Sequence, residues 1–314
     1  MPVTDITAGT GPPSRAATVN RSTAGRPGLD AGALLQFFDE SARDLPWRRV
    51  TATPWAVLIS EVMLQQTPVS RVLPIYTQWV ERWPAPADLA ADTPGDAIRA
   101  WGRLGYPRRA LRLHAAATVI TAEHSGVVPN SVGTLLTLPG IGDYTARAVA
   151  AFAFGARTPV VDTNVRRVLS RVVRGIDEPR EPATKADRDQ LESMLPVEPA
   201  VAARFSAAVM ELGATVCTAR APACGSCPLS GSCRWRLAGS PAGIAKRPVQ
   251  AWHGTDRQMR GRMIAVLRES IGAVPESALS RVVDDPQQGT RCLASLLADG
   301  LVVRVGPDLV DLPA

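Results

Sequence analysis

The chain has 314 residues, 46% of them hydrophobic and 20% charged, with a formal net charge of +6 at pH 7. It is too long to be one small motif, it has no uncharged apolar run of the roughly 18 residues a membrane span needs, and it does not open on a charged segment leading into an apolar core. A cytoplasmic protein is expected, nucleoid-associated if bacterial, with no membrane partner, and the cationic excess leans toward a polyanionic one.

Residues 1–29 include "TAGTGPPSRAATVNRSTAGRPG", which is small, polar and rich in Pro and Gly, so a disordered tail is expected there. From residue 30 helix-like stretches alternate with short breakers: "DAGALLQFFDESARDLPWR", "PWAVLISEVMLQQ", "VLPIYTQWVERW", "PADLAADTPGDAIRAWGRLG", "RRALRLHAAATVITAEH", "YTARAVAAFAFG", "NVRRVLSRVVRGI" and "RFSAAVMELGATVC". Apolar residues recur in them at spacings of three and four, so the chain to about residue 235 reads as mainly α. Residues 236–254 are small and basic and read as a linker. Residues 255–314 predict three helices followed by a hairpin around Gly306 and Pro307, the order of a small winged-helix-like domain.

Cys217, Cys224, Cys227 and Cys233 are four of the five cysteines, spaced C-x6-C-x2-C-x5-C. A cytosolic setting argues against disulfides. Zinc ribbons pair two short knuckles across a longer gap, whereas here one knuckle is flanked by gaps of six and five, which suits a four-iron cluster better than zinc or unligated thiols. Cys292, alone in an apolar stretch, reads as a small buried residue.

In "TLLTLPGIGDYTARAVAAFAFG" an apolar stretch meets a tight turn and a helix running from about Asp143 to Gly155. Gly140 and Gly142 would let backbone amides approach a phosphate; an ordinary glycine turn with an Asp N-cap is equally consistent with the local sequence. Glu61 lies in the apolar helix "AVLISEVMLQQT", where burial would raise its pKa, although an exposed place on an amphipathic helix fits as well. Asp162, before "NVRRVLSR", reads locally as a helix N-cap.

The cysteine spacing, "LPGIGDYTARAVAAFAFG" and "VVDTNVRRVLSR" together resemble the helix-hairpin-helix DNA glycosylases of the endonuclease III superfamily. Within it, "LPWR", "SEVMLQQT", "GRLGY" and "ELGATVC" resemble the MutY-type adenine glycosylases, over roughly residues 31 to 235. The resemblance implies a mainly α, two-lobed fold. A 4Fe-4S cluster lobe would comprise residues 30–48 and 166–235, and a six-helix barrel with the hairpin residues 49–165. It implies a monomeric, monofunctional enzyme that removes adenine from double-stranded DNA with A:8-oxoguanine or A:G mispairs. Glu61 would protonate adenine and Asp162 would stabilise or trap the cationic sugar. Tyr144 would stand where endonuclease III carries its Schiff-base lysine, and Asn164 would sit near the sugar or Asp162. Trp47 and Arg48 would meet adenine. Gln65, Gln66, Thr67, Leu104 and Tyr106 would meet the lesion side, and Pro139, Gly140, Ile141 and Gly142 would clamp the backbone. Arg103, Arg108, Arg109, Arg112, Arg166, Arg167 and Arg171 are candidate phosphate contacts, and Arg220 in the cysteine loop is a further one.

Three departures stand out. The segment 255–314 lacks the Nudix-like signature common in these enzymes, Pro107 follows Tyr106 where a second tyrosine is frequent, and Ala207 replaces a frequent Gln or Glu. A G:T mismatch thymine glycosylase, an endonuclease III-type enzyme acting on oxidised pyrimidines and a non-catalytic iron-sulfur DNA-binding regulator are the competing readings.

Overall fold

The computed structural model describes residues 28–177, 184–243 and 252–314. Most of the expected tail and the middle of the expected linker lie outside the described residues. The helices are α1 (Ala31–Ser41), α2 (Pro54–Leu64), α3 (Val69–Arg82), α4 (Pro86–Ala91), α5 (Pro94–Trp101), α6 (Arg108–Glu123), α7 (Val132–Leu135), α8 (Asp143–Phe154), α9 (Thr163–Leu169), α10 (Lys185–Glu192), α11 (Pro199–Thr215), α12 (Arg234–Leu237), α13 (Asp256–Glu269), α14 (Glu276–Ser280) and α15 (Pro286–Ala298). Their starts follow capping chemistry. Thr53, Thr93, Ser131, Asp162, Thr184 and Thr255 each accept a first-turn N–H, and Pro54, Pro94, Pro199 and Pro286 open helices where a missing N–H costs nothing. Helix α10 is not apparent from the sequence because "KADRDQLE" is almost wholly polar; its capping box of Thr184 and Asp187 and the burial of Leu191 fix it.

Two large hydrophobic cores organise the described residues, with a small third cluster of Ala148, Ala151, Val160 and Ala203. One gathers α2 to α8, with Trp79 in edge contact with Trp83 and Trp101. The other joins Leu34 of α1 to Val165, Val168, Leu169, Phe205, Leu212 and Trp235. After α9 the chain continues as a π-helical turn, Ser170–Arg174, against α12.

The three C-terminal helices carry a small antiparallel sheet of β1 (Val274–Pro275), β2 (Val303–Arg304) and β3 (Leu309–Asp311), ordered β1-β3-β2. The expected hairpin is β2–β3, whereas β1 is too short to give an alternating pattern. Met263, Ile264, Leu267, Leu296 and Leu301 share the core of α2 to α8. Arg99 of α5 donates to the carbonyls of Leu267 and Ser270 at 2.7 Å and of Arg268 at 3.1 Å, capping the end of α13. Gly95 N–H donates to Pro313 O at 2.7 Å, and a Cβ at Gly95 would meet that oxygen at 2.6 Å.

Arg99→Ala leaves three carbonyls without their donor and is expected to cost about 2 kcal/mol, read as a lower urea midpoint with an unchanged far-ultraviolet spectrum before the transition.

Candidate active site

Where the two cores meet lies an open cleft of about 1240 Å³, lined by Trp47, Arg48, Glu61, Gln65, Gln66, Thr67 and Tyr144 from one side and by Asp162, Asn164, Arg204, Ala207 and Met210 from the other. It exceeds the ~300–1,000 Å³ of a typical small-molecule pocket.

Glu61 sits in α2, where every residue from Trp55 to Met63 is buried, and is itself only 5% exposed. Burial pushes its carboxyl from 4.5 to about 7; a hydrogen bond from Tyr144 opposes this, the charge of Asp162 adds to it, and Arg48 opposes it. Its Oε2 is buried and has no hydrogen-bond partner among the described residues. Asp162 is held differently. Burial raises it too, but Val165 N–H donates to Oδ1 and Asn164 Nδ2 to Oδ2, each at 2.7 Å, which favours the carboxylate. The N-cap that local sequence suggests is therefore real, and it also aims Asp162 into the cleft. Tyr144 stays a phenol, because burial and then the two carboxyls raise its pKa well above 10.

Asn164 is fixed by close helix packing. A Cβ on Gly213 of α11 would meet the Asn164 Cβ and O at 2.7 Å. Arg167 donates to Asn164 Oδ1 at 2.8 Å, to Gly213 O at 2.6 Å and to Cys217 O at 2.7 Å, joining the cleft to the start of the cysteine loop.

Trp47 is buried edge-on to Tyr76 yet lines the cleft. Arg48 lines it too: Nη2 donates to Glu211 at 2.8 Å, while Nη1 is buried with no hydrogen-bond partner among the described residues. Glu211, fully buried in α11, also takes a bidentate pair from Arg43 at 2.6 and 2.8 Å. Burial opposes ionisation, but the Arg43 hydrogen bonds and Arg48 bring Glu211 down to about 2. Sequence reasoning missed this anchor, although Glu211 opens the "ELGATVC" stretch that it singled out.

The two loops expected to face the lesion are tied together by Arg109. Its Nη1 donates to the carbonyls of Val62, Met63 and Gln65 at 2.7–2.9 Å, and its Nη2 to Thr67 Oγ1 at 3.0 Å and Gly105 O at 3.1 Å. Each loop holds one non-glycine residue in the left-handed region, Gln66 at φ 57° and Tyr106 at φ 50°. Gln66 and Tyr106 are exposed, whereas Thr67 and Leu104 are buried. Leu104 and Tyr106 do not line the cleft. Arg109, Arg166 and Arg171 correct the expectation of phosphate contacts. Arg109 is buried as described, Arg166 pairs with Asp187 at 3.1 Å, and Arg171 is held by Asp177 and the cysteine loop.

At the hairpin Gly140 has φ 75°, and its absent Cβ would overlap Arg112 at 2.5 Å. Gly142, not Asp143, is the N-cap of α8, and it brings no side chain to the first-turn amides. Gly140 and Gly142 line the cleft edge, while Ile141 is buried in the barrel core and Pro139 is half-buried. Free amides at a helix start are the groups a phosphate uses.

The four loop cysteines carry no disulfide and line one small space with Leu212, Val216 and Trp235. Arg171 Nη1 lies 3.5 Å from Cys217 Sγ, and the Cys233 thiol donates to Arg171 O at 3.6 Å. Among the described residues no three His, Cys, Asp or Glu side chains are gathered tightly enough for a single metal ion. Four thiols around one space, Cys217 and Cys233 buried, Cys224 and Cys227 half-buried, with the Arg171 guanidinium against Cys217, fit an iron-sulfur cluster. Arg220 is exposed on this loop.

Residues 59–192 match the family model of HhH-GPD superfamily base excision DNA repair proteins, and residues 217–233 match the iron-sulfur binding domain of endonuclease III. The chain is 57% identical to the adenine DNA glycosylase of Mycolicibacterium smegmatis, covering 86% of this chain and 91% of that one. It is 52% identical to that of Mycobacterium tuberculosis, covering 86% and 89%. A solved thermostable thymine-DNA glycosylase superposes with a TM-score of 0.59 at 28% identity, covering 66% of this chain and 95% of that one.

Two predictions follow from this geometry. With the Glu61 carboxyl raised to about 7 in the fold, the protonated form holds its full stability below about pH 4.5 and loses it as pH rises through 7, by up to about 3 kcal/mol. Glu61→Gln should therefore unfold at clearly higher urea than the wild type at pH 8 and at similar urea at pH 5. Gly213→Ala should separate α9 from α11, lowering the thermal midpoint by several degrees; an unchanged melt would contradict the packing.

Proposed function

The chain belongs to the adenine DNA glycosylases of the helix-hairpin-helix base-excision repair superfamily, and from that premise we propose that it acts as a monomer on DNA with adenine opposite 8-oxoguanine or guanine. It cleaves the N-glycosidic bond of that adenine and stops there. The supporting observation is the pairing of unlike carboxyls in one cleft, Glu61 raised to about 7 and Asp162 held by two N–H donors. The 57% identity to an adenine DNA glycosylase leaves the thymine enzyme and the non-catalytic regulator unfavoured.

With adenine turned out of the duplex into the cleft, the Glu61 proton passes to N7. The C1′–N9 bond then breaks with its electron pair leaving on neutral adenine. The cationic sugar forms beside the Asp162 carboxylate, which lowers its energy by charge. Water adds to C1′ and its proton returns to Glu61. Trp47 and Arg48, anchored on Glu211, hold the base, and Asn164 keeps Asp162 aligned. Tyr144 offers no amine to form an imine, so no lyase step follows. Gly140, Gly142 and the start of α8 take a phosphate, and the 65–67 and 102–106 loops face the partner base.

The cofactor is a 4Fe-4S cluster, which Cys217, Cys224, Cys227 and Cys233 would hold. Held there, the cluster would tie the four thiolates together and so fix the loop that presents Arg220.

Base release is measured from duplexes carrying A opposite 8-oxoguanine, A opposite G, T opposite G, or thymine glycol. Adenine alone should be released, and Glu61→Gln should lower the rate by about 10²-fold or more. Release of thymine would overturn the reading. The wild-type single-turnover rate should fall as pH rises through about 7, because the acid form of Glu61 is then lost.

A further inference from the structure

Helix α13 of the C-terminal unit grips the 102–106 loop at both ends. Arg268 donates to Gly102 O, and Arg257 stacks its guanidinium over the Tyr106 ring, 4.3 Å from the centroid. These two arginines lie about three turns apart, on one face of the helix. Arg257 also lies 5.5 Å from the Trp252 ring, and Arg109 approaches the Tyr106 ring at 5.5 Å. Tyr106 is thus flanked by two guanidinium groups, one from the barrel and one from the C-terminal unit. Tyr106 and Trp252 remain 40% and 50% exposed.

The charge around this stack is unbalanced. Arg71, Arg103 and Arg257 are exposed, and among the described residues none forms a salt bridge. Arg71 donates to Arg103 O, holding one cationic group beside the loop. Exposed aromatic rings interleaved with unpaired guanidinium groups are what a nucleic-acid strand engages, the rings by stacking and the cations at phosphate. Position narrows the choice of strand. Gln66 lines the cleft, and Arg109 ties its loop to the Tyr106 loop just outside it. A base turned into the cleft leaves its former partner at that edge.

We infer that Trp252, Arg257 and Tyr106 form a composite surface for the DNA strand opposite the excised base, and that Arg257 is a positioning residue that sets discrimination at the opposite base by holding the Tyr106 ring. The unit built from residues 255–314 is thereby part of substrate reading. This inference rests on the functional reading above.

The test uses the full cluster-loaded chain and duplexes in which a 2′-fluorinated, uncleavable adenosine stands opposite 8-oxoguanine, guanine or thymine. Arg257→Ala should weaken binding to the 8-oxoguanine duplex about tenfold while weakening the thymine duplex about twofold or less, shrinking the ratio between them. Arg257→Lys, which keeps the charge and loses the planar stack, should restore the salt dependence of binding but not that ratio. Trp252→Ala should shift the ratio in the same direction. Equal losses on all duplexes, full rescue of the ratio by lysine, or no change in either alanine variant would overturn the inference. Thermal midpoints within a few degrees of wild type establish that the variants are folded. Adenine release by the wild type from the cleavable duplex is followed in parallel. Its absence refutes the functional reading itself, whereas its presence with an unchanged Arg257→Ala ratio refutes only the role of Arg257.

Discussion

A carboxyl group buried on an apolar helix needs either a counter-charge or a proton, and α2 gives Glu61 the proton. Most of the architecture around the cleft serves that choice. Nine consecutive buried residues keep water from Glu61, and Arg48, whose charge would favour the carboxylate, is drawn toward Glu211. The second carboxyl is solvated by protein instead of water: Asp162 receives a backbone N–H and an amide N–H, the substitutes that keep an anion an anion in a poorly hydrated place. Burial raises both carboxyls, but only Asp162 has two N–H donors working against it, because the two side chains enter the cleft from different elements.

Arginine is the scaffold that makes this possible. Buried or half-buried guanidinium groups bind carbonyls and carboxylates at each junction: Arg43 and Arg48 on Glu211, Arg109 on the end of α2, Arg166 and Arg174 on Asp187, Arg171 on the cysteine loop and Arg99 on the end of α13. A rigid planar donor with five N–H groups reaches several acceptors where lysine would reach fewer. The formal charge of +6 is consequently a poor map of the cationic surface, since much of the positive charge is engaged within the fold.

What was legible in the sequence follows from this. The apolar run around Glu61, the glycine turn and the cysteine spacing are local patterns, and they led to the fold and to the cluster. Asp162 reads locally as a cap, and in three dimensions the same cap aims its carboxyl into the cleft. Arg109 and Glu211 could not be read locally. An arginine in "YPRRALR" looks like one more surface cation, and its burial depends on carbonyls more than forty residues away. Helix α10 escaped because polar residues hide its one buried face, and β1 because two residues carry no period. The stack of Arg257 on Tyr106 joins parts of the chain with no shared pattern.

The core common to α2 to α8 and to α13 and α15 has a consequence for inheritance. A module joined by a tether can be lost, exchanged or fused elsewhere with little cost to its neighbour. Here Met263, Leu267 and Leu296 fill the same apolar interior as the tryptophans of the barrel, so deleting the last sixty or so residues would leave an open hydrophobic wall and not a shorter enzyme. Changes on either side of that seam must be accepted by the other, and the two parts are bound to drift together as one lineage.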